Sequence, residues 1–310
     1  MRIDTWNAHR RVVSTRAGEV AYVDAGEGPA ALLVHGLVVN SHLWRPLVTE
    51  LGGLRRCIAV ELPGHGFTPA PPDGDLSLPG LAETVDALRE ALDLDQVDLV
   101  GNDTGGAVCQ VVAARHPERI RTLTLTNCDT HDNLPPPFFR AATERARRGR
   151  YASRLRTMAA DPVAARSRRG LGACLTDPDR LDDEVLDSLL SPIRASETVA
   201  TDIERLLVAL RAEDLLAADP ALATLTAPTL IVWGTADPFF ETRWAHWLGD
   251  LIPGTRAVVE LEGAGLYLAL ERAPELAALL RSLWAGEPGE LEAYAPQRPT
   301  SRPSHPASRV

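Results

Sequence analysis

The stretch Val97-Asp98-Leu99-Val100-Gly101-Asn102-Asp103-Thr104-Gly105-Gly106 runs from β-prone residues through a carboxylate flanked by glycines into small residues that suit a helix start. A G-x-Nuc-x-G pattern of this kind marks a sharp strand-to-helix turn that holds its central residue outward. Gly101 and Gly105 belong there because side chains would strike neighbouring backbone at so tight a turn. The central residue is Asp103, and a carboxylate so placed can attack an electrophilic carbon to form an ester with the protein. The helix start behind it offers N–H groups and the positive end of a dipole. An ordinary glycine-rich loop opening a helix has the same local pattern, so the surrounding chain must decide between the two.

The elements around it alternate. Residues 11–25 hold two β-prone runs about Ala17-Gly18, a hairpin pattern. Ala31-Leu32-Leu33-Val34 and Cys57-Ile58-Ala59-Val60 are continuous apolar runs, as buried central strands require. Trp44, Leu47, Val48 and Leu51, then Leu81, Val85, Leu88 and Leu92, recur at helical spacing. Further strands are expected at 97–103, 120–126, 229–233 and 256–261, with helices after 104, at 241–251 and around Leu276, Leu279, Leu280 and Leu283. Strand and helix in alternation predict a mainly parallel sheet of about eight strands with helices on both faces. Pro135-Pro136-Pro137 breaks the alternation, and residues 134–220 read as a helical lid inserted between two strands. The core is then 1–133 and 221–286, and the Pro- and Glu-rich tail 287–310 is expected to be disordered.

The 310 residues, 45% of them hydrophobic, suffice for one large α/β core with an insertion. A formal net charge of −10 argues against nucleic acid and anionic membrane as partners. Cys57, Cys109, Cys128 and Cys174 have neither metal-ligand nor paired spacing and read as free thiols of a cytoplasmic protein without metal or cofactor. No signal segment opens the chain and no long apolar run is present.

Four motifs in this order resemble the α/β-hydrolase fold superfamily over about residues 10–285: His35-Gly36, Glu61-Leu62-Pro63-Gly64-His65-Gly66, the turn at Asp103, and Trp233-Gly234-Thr235-Ala236-Asp237-Pro238. The Asp at the turn and the stretch His35 to Arg45 resemble its haloalkane dehalogenase and epoxide hydrolase branch. The resemblance implies that Asp103 is the nucleophile, that backbone N–H groups of Leu37 and Thr104 form an oxyanion hole, and that Asp237 orients a catalytic histidine. It places that histidine in Glu262-Gly263-Ala264-Gly265-Leu266-Tyr267-Leu268, where this chain carries Leu266. Leucine accepts no proton. The branch's halide-holding side chains fall on Leu37 and Thr104, neither of which supplies such a donor, and the lid has the single tyrosine Tyr151 where epoxide opening uses two.

The eight histidines are at 9, 35, 42, 65, 116, 131, 246 and 305. Only His131, between Asp129 and Asp132 on the rim leading into the lid, is a possible base, and a solvated polar loop is the better reading of it. Arg145, Arg147, Arg148 and Arg150, with Arg166, Arg168 and Arg169, could meet a substrate carboxylate but read better as a solvated helix face. Leu37, Leu266, Phe239, Phe138 and Phe139 are the expected walls of a small apolar pocket. The reading is therefore an enzyme acting on a small apolar molecule through Asp103, with hydrolysis impaired or replaced by a non-hydrolytic step. The alternative is an inactive member of the fold that binds a small ligand. The sequence leaves the oligomeric state open.

Overall fold

Residues 1–286 and Leu291 are described by the computed structural model. The strands are β1 (Arg10–Thr15), β2 (Gly18–Ala25), β3 (Ala30–Val34), β4 (Arg56–Val60), β5 (Val97–Asp103), β6 (Ile120–Cys128), β7 (Thr229–Gly234) and β8 (Thr255–Leu261). They form one eight-stranded sheet in the order β1-β2-β4-β3-β5-β6-β7-β8. The β1–β2 and β2–β4 pairs are antiparallel and the rest are parallel. Every residue of β3 and of β7 is buried, as continuous apolar runs covered on both faces must be.

The helices that carry this core are α1 (Ile3–Ala8), α2 (Arg45–Leu51), α3 (Leu78–Ala91) and α4 (Thr104–Arg115) before the insertion. The insertion adds α5 (Arg140–Arg147), α6 (Tyr151–Ala160), α7 (Pro162–Arg166), α8 (Asp183–Ala195), α9 (Glu197–Ala209) and α10 (Ala212–Leu222). The chain then returns through α11 (Arg243–Leu251), α12 (Leu268–Glu271) and α13 (Ala273–Ala285). Local rules are visible in the caps. The Ser77 side chain accepts from Gly80 N–H to open α3, and Gly52 and Gly286 close α2 and α13 in the left-handed conformation.

Two features were not legible in the sequence. The six-residue α1 buries Trp6 but is too short to show a period. In addition, α10 packs on α4 and α3, so the end of the 134–220 stretch lies with the core helices. The four cysteines are free and buried. The expectation for the tail concerns residues outside those described, apart from Leu291.

Candidate active site

β5 ends in a turn that the packing leaves little choice about. Asp103 holds φ 56° and ψ −132°, a conformation costing a non-glycine residue about 1–3 kcal/mol. Val38, Asn127 and His131 also take positive φ. A Cβ on Gly105 would overlap the carbonyl oxygens of Val34 and His35, and one on Gly106 would overlap the Cys128 side chain. A Cβ on Gly36 would overlap the Asp103 carboxylate itself. The glycines are therefore what lets β5, α4 and the loop after β3 meet at one point.

At that point the Asp103 Oδ2 atom accepts the Leu37 N–H at 2.8 Å, and the Thr104 N–H also donates to the carboxylate. The loop bearing Leu37 is fixed from below. His65 Nε2 accepts the Val38 N–H at 3.3 Å, and His35 Nε2 accepts the Leu62 N–H at 3.1 Å. Burial pushes these imidazoles down, to about 3 for His35 and about 4 for His65, so both are neutral supports. Beneath them Glu61, fully buried, accepts from Ser41 Oγ at 2.6 Å, and burial raises its carboxyl to about 7.

Asp103 opens into a cavity of about 120 Å³, close to the size that holds one benzene. Leu37, Thr104, Phe139, Phe239 and Leu266 are on its walls, with Tyr151, Leu171, Cys174, Leu207 and Leu210 among the others. Desolvation in this apolar setting pushes the Asp103 carboxyl up to about 7, against the two amide donors that favour its charged form. Asp237 is raised to about 7 for the same reason, although it accepts from Phe239 N–H at 2.7 Å and Asn127 Nδ2 at 2.8 Å.

The loop opposite is just as firmly held. The Leu266 carbonyl accepts from Asn102 Nδ2 at 3.0 Å, the Gly265 N–H donates to Glu271 at 2.7 Å, and the Tyr267 N–H donates to the Cys174 carbonyl at 3.1 Å. Leu266 is buried on the cavity wall, so no imidazole stands beside Asp237 there.

Two sequence-derived candidates are placed elsewhere. His131 is not a cavity residue. Its Nδ1 lies 2.6 Å from Asp219 Oδ2 on α10, and its ring stacks on Trp247 at 4.5 Å, so it ties the loop after β6 to that helix. Phe138 is 54% exposed and packs edge-on outside Phe239, because the single turn at 137–139 directs only Phe139 inward. The residue that sequence reasoning passed over is Asp129. It lines the cavity and is 2% exposed, with Oδ2 accepting from Thr104 Oγ1 at 3.2 Å and Oδ1 without a partner. Burial and repulsion from Asp103 push its carboxyl well above the usual range. The available signal was its position. Asp103 pairs with Cys128 across β5 and β6, so the residue after Cys128 must emerge beside it. Among the described residues no cluster of three or more ligating side chains could hold a metal.

A family model described as "alpha/beta hydrolase fold" matches residues 29–272, and this chain belongs to that family. Haloalkane dehalogenase 2 of Mycobacterium tuberculosis is 28% identical over 236 residues, 73% of this chain and 77% of that protein. Among solved structures, the meta-cleavage product hydrolase of Pseudomonas fluorescens superposes with a TM-score of 0.72 at 21% identity, covering 89% of this chain and 97% of the other. The epoxide hydrolase CorEH does so at 0.69 and 18%, covering 89% and 98%. These structural likenesses concern the fold. Hydrolases are thus among the relatives of this chain. Among its described residues no helix is long and apolar enough to cross a membrane.

Proposed function

We propose that this chain is an enzyme that acts on a small apolar electrophile through Asp103, and that its reaction stops at, or departs from, the hydrolytic step because Leu266 supplies no base. The observation that carries the reading is the Asp103 carboxylate with Oδ2 on the Leu37 amide, facing an apolar cavity. Amides fixed in advance stabilise the oxyanion that forms when an ester on that carboxyl is attacked. Attack by Asp103 on a substrate carbon, with expulsion of a leaving group, yields an alkyl ester. Water then cleaves it slowly, since general-base help is worth ~100- to 10,000-fold. The part of the 134–220 insertion ahead of α10 serves as the lid that excludes bulk water, and the reaction as written calls on no metal or cofactor.

Asp129 supports a second outcome at the same site. A buried carboxyl with an unpartnered oxygen beside Asp103 can exchange a proton with it, as proton abstraction or elimination requires. Intact-mass analysis after exposure to haloalkanes, epoxides and activated esters tests the reading. A mass gain equal to the transferred fragment, mapped to Asp103 and absent in Asp103→Asn, is the expected result. No gain with any electrophile, together with no elimination product, leaves only the ligand-binding alternative.

A further inference from the structure

The cavity has a charged neighbour. Beside it on the insertion is a cleft of about 450 Å³ whose lining includes Arg145, Arg150, Arg154 and Arg169. Met158 and Arg169 border both spaces, so the cleft lies directly against the cavity. Most arginines of this region fall into two sets, Arg168 being an exposed residue outside both. Arg147 and Arg148 pair with Glu144, Arg156 with Glu197, and Arg166 with Asp183. The four that line the cleft make no ion pair or side-chain hydrogen bond among the described residues, and no carboxylate shares its walls. Apart from Arg168, the fold sets the paired arginines of the run outside and the unpaired ones around a concavity.

In a chain of net charge −10 these four exposed guanidinium groups form a local cluster of positive charge. The adjoining cavity has the opposite character, with Asp103 and Asp129 on its wall. Tyr151 links the two. It lines the cavity, and Arg154 and Arg145 are near enough to favour its ionised form against the burial that disfavours it. The cavity alone holds a benzene-sized group, so a longer molecule must extend into the cleft.

We infer that the substrate is amphipathic: an apolar, electrophilic end enters the cavity toward Asp103, and an oxyanion at its other end, a carboxylate or a phosphate, is held by Arg145, Arg150, Arg154 and Arg169. Guanidinium forks match the paired oxygens of either group, and four of them around one concavity can act on the same anion. The Asp103 carboxylate at the inner end, when ionised, repels the same anion. The substrate is thereby oriented before any contact specific to its reacting carbon.

The inference rests on the cavity of the proposed reading but needs no chemistry at Asp103, so the two fail separately. Calorimetric titration of the full chain with octanoate, octyl phosphate and octanamide tests it. The expected result is tighter binding of at least one anion than of the amide by about tenfold or more at low salt. That preference should disappear in Arg145→Gln/Arg154→Gln and shrink in about 0.5 M salt. The comparison of octanoate with octyl phosphate identifies which oxyanion fits. Equal affinity for anions and amide, an unchanged preference in the double variant, or no binding of any probe overturns the inference. Both arginines are exposed on short helices or their ends, and an unchanged melting temperature confirms that the variant is folded. Adduct formation by the wild type with a small neutral electrophile, alongside absent octanoate and phosphate binding, removes this inference and leaves the proposed function standing.

Discussion

Two walls of one cavity differ here, one presenting a carboxylate and the other a leucine. On the β5 side, a strained turn, three close-packed glycines and two backbone amides hold the Asp103 carboxylate. On the side of the 262–268 loop, the backbone is equally well tied, through Asn102, Glu271 and Cys174. Asp237 stands behind it with its own donors. Yet the side chain presented is Leu266. The difference teaches that scaffold and chemistry are specified separately. Hydrogen bonds of the backbone fix where position 266 is, and a single side chain decides whether a proton can be accepted there.

Removing the carboxylate from its wall should have the largest effect. Asp103→Asn keeps the shape of the turn and deletes the attacking carboxylate, so adduct formation should fall by about 10,000-fold or more. Retention of adduct formation in this variant would break the comparison at its base. Gly36→Ala should come next, because its Cβ overlaps the carboxylate and must displace it from the Leu37 amide. A displacement of that kind costs on the order of 100-fold, read as the adduct rate in a protein whose circular dichroism is unchanged.

The raised carboxyl of Asp103 gives a smaller, graded effect. Only the ionised form attacks, so with a value of about 7 the adduct rate should rise about tenfold from pH 6 to 8. Stability should run the other way. Between the unfolded value of 3.8 and about 7, the folded chain keeps a proton that the unfolded chain has released. The folded state therefore loses stability as pH rises through that window. Asp237 and Glu61, also raised to about 7, add to the same slope. Asp103→Asn should accordingly melt higher than wild type at pH 8, with the gap closing toward pH 4. Smallest of all should be the effect of Asp237→Asn on adduct formation, within about threefold. Asp237 ties the Phe239 loop to Asn127, and Leu266 gives it no imidazole to orient.

The fold was largely legible because its signals are periodic or continuous: the apolar runs of β3, β4 and β7, the spacing along α3 and α13, and the glycines around Asp103. That the amides of Leu37 and Thr104 meet at Asp103 was implied by the resemblance to the hydrolase fold. Asp129 escaped because a lone carboxylate past a strand end has no pattern of its own, and only the β5–β6 register brings it to Asp103. His131 misled for the converse reason. Its neighbours in sequence are acids, but its partner is Asp219, 88 residues on. The division of the arginines was equally hidden, since pairing depends on which helix face turns toward Glu144, Glu197 or the cleft.

The central claim is that one side chain separates a loaded carboxylate from turnover. The direct measurement is a rapid-quench time course of wild type and Leu266→His with one electrophile that labels Asp103. The wild type should give a burst of about one equivalent followed by a steady rate ~100- to 10,000-fold slower than that of Leu266→His. The variant should lose ~1–3 kcal/mol of stability through burial of its imidazole. A wild type that turns over steadily with no burst, at a rate Leu266→His does not exceed, would contradict the account.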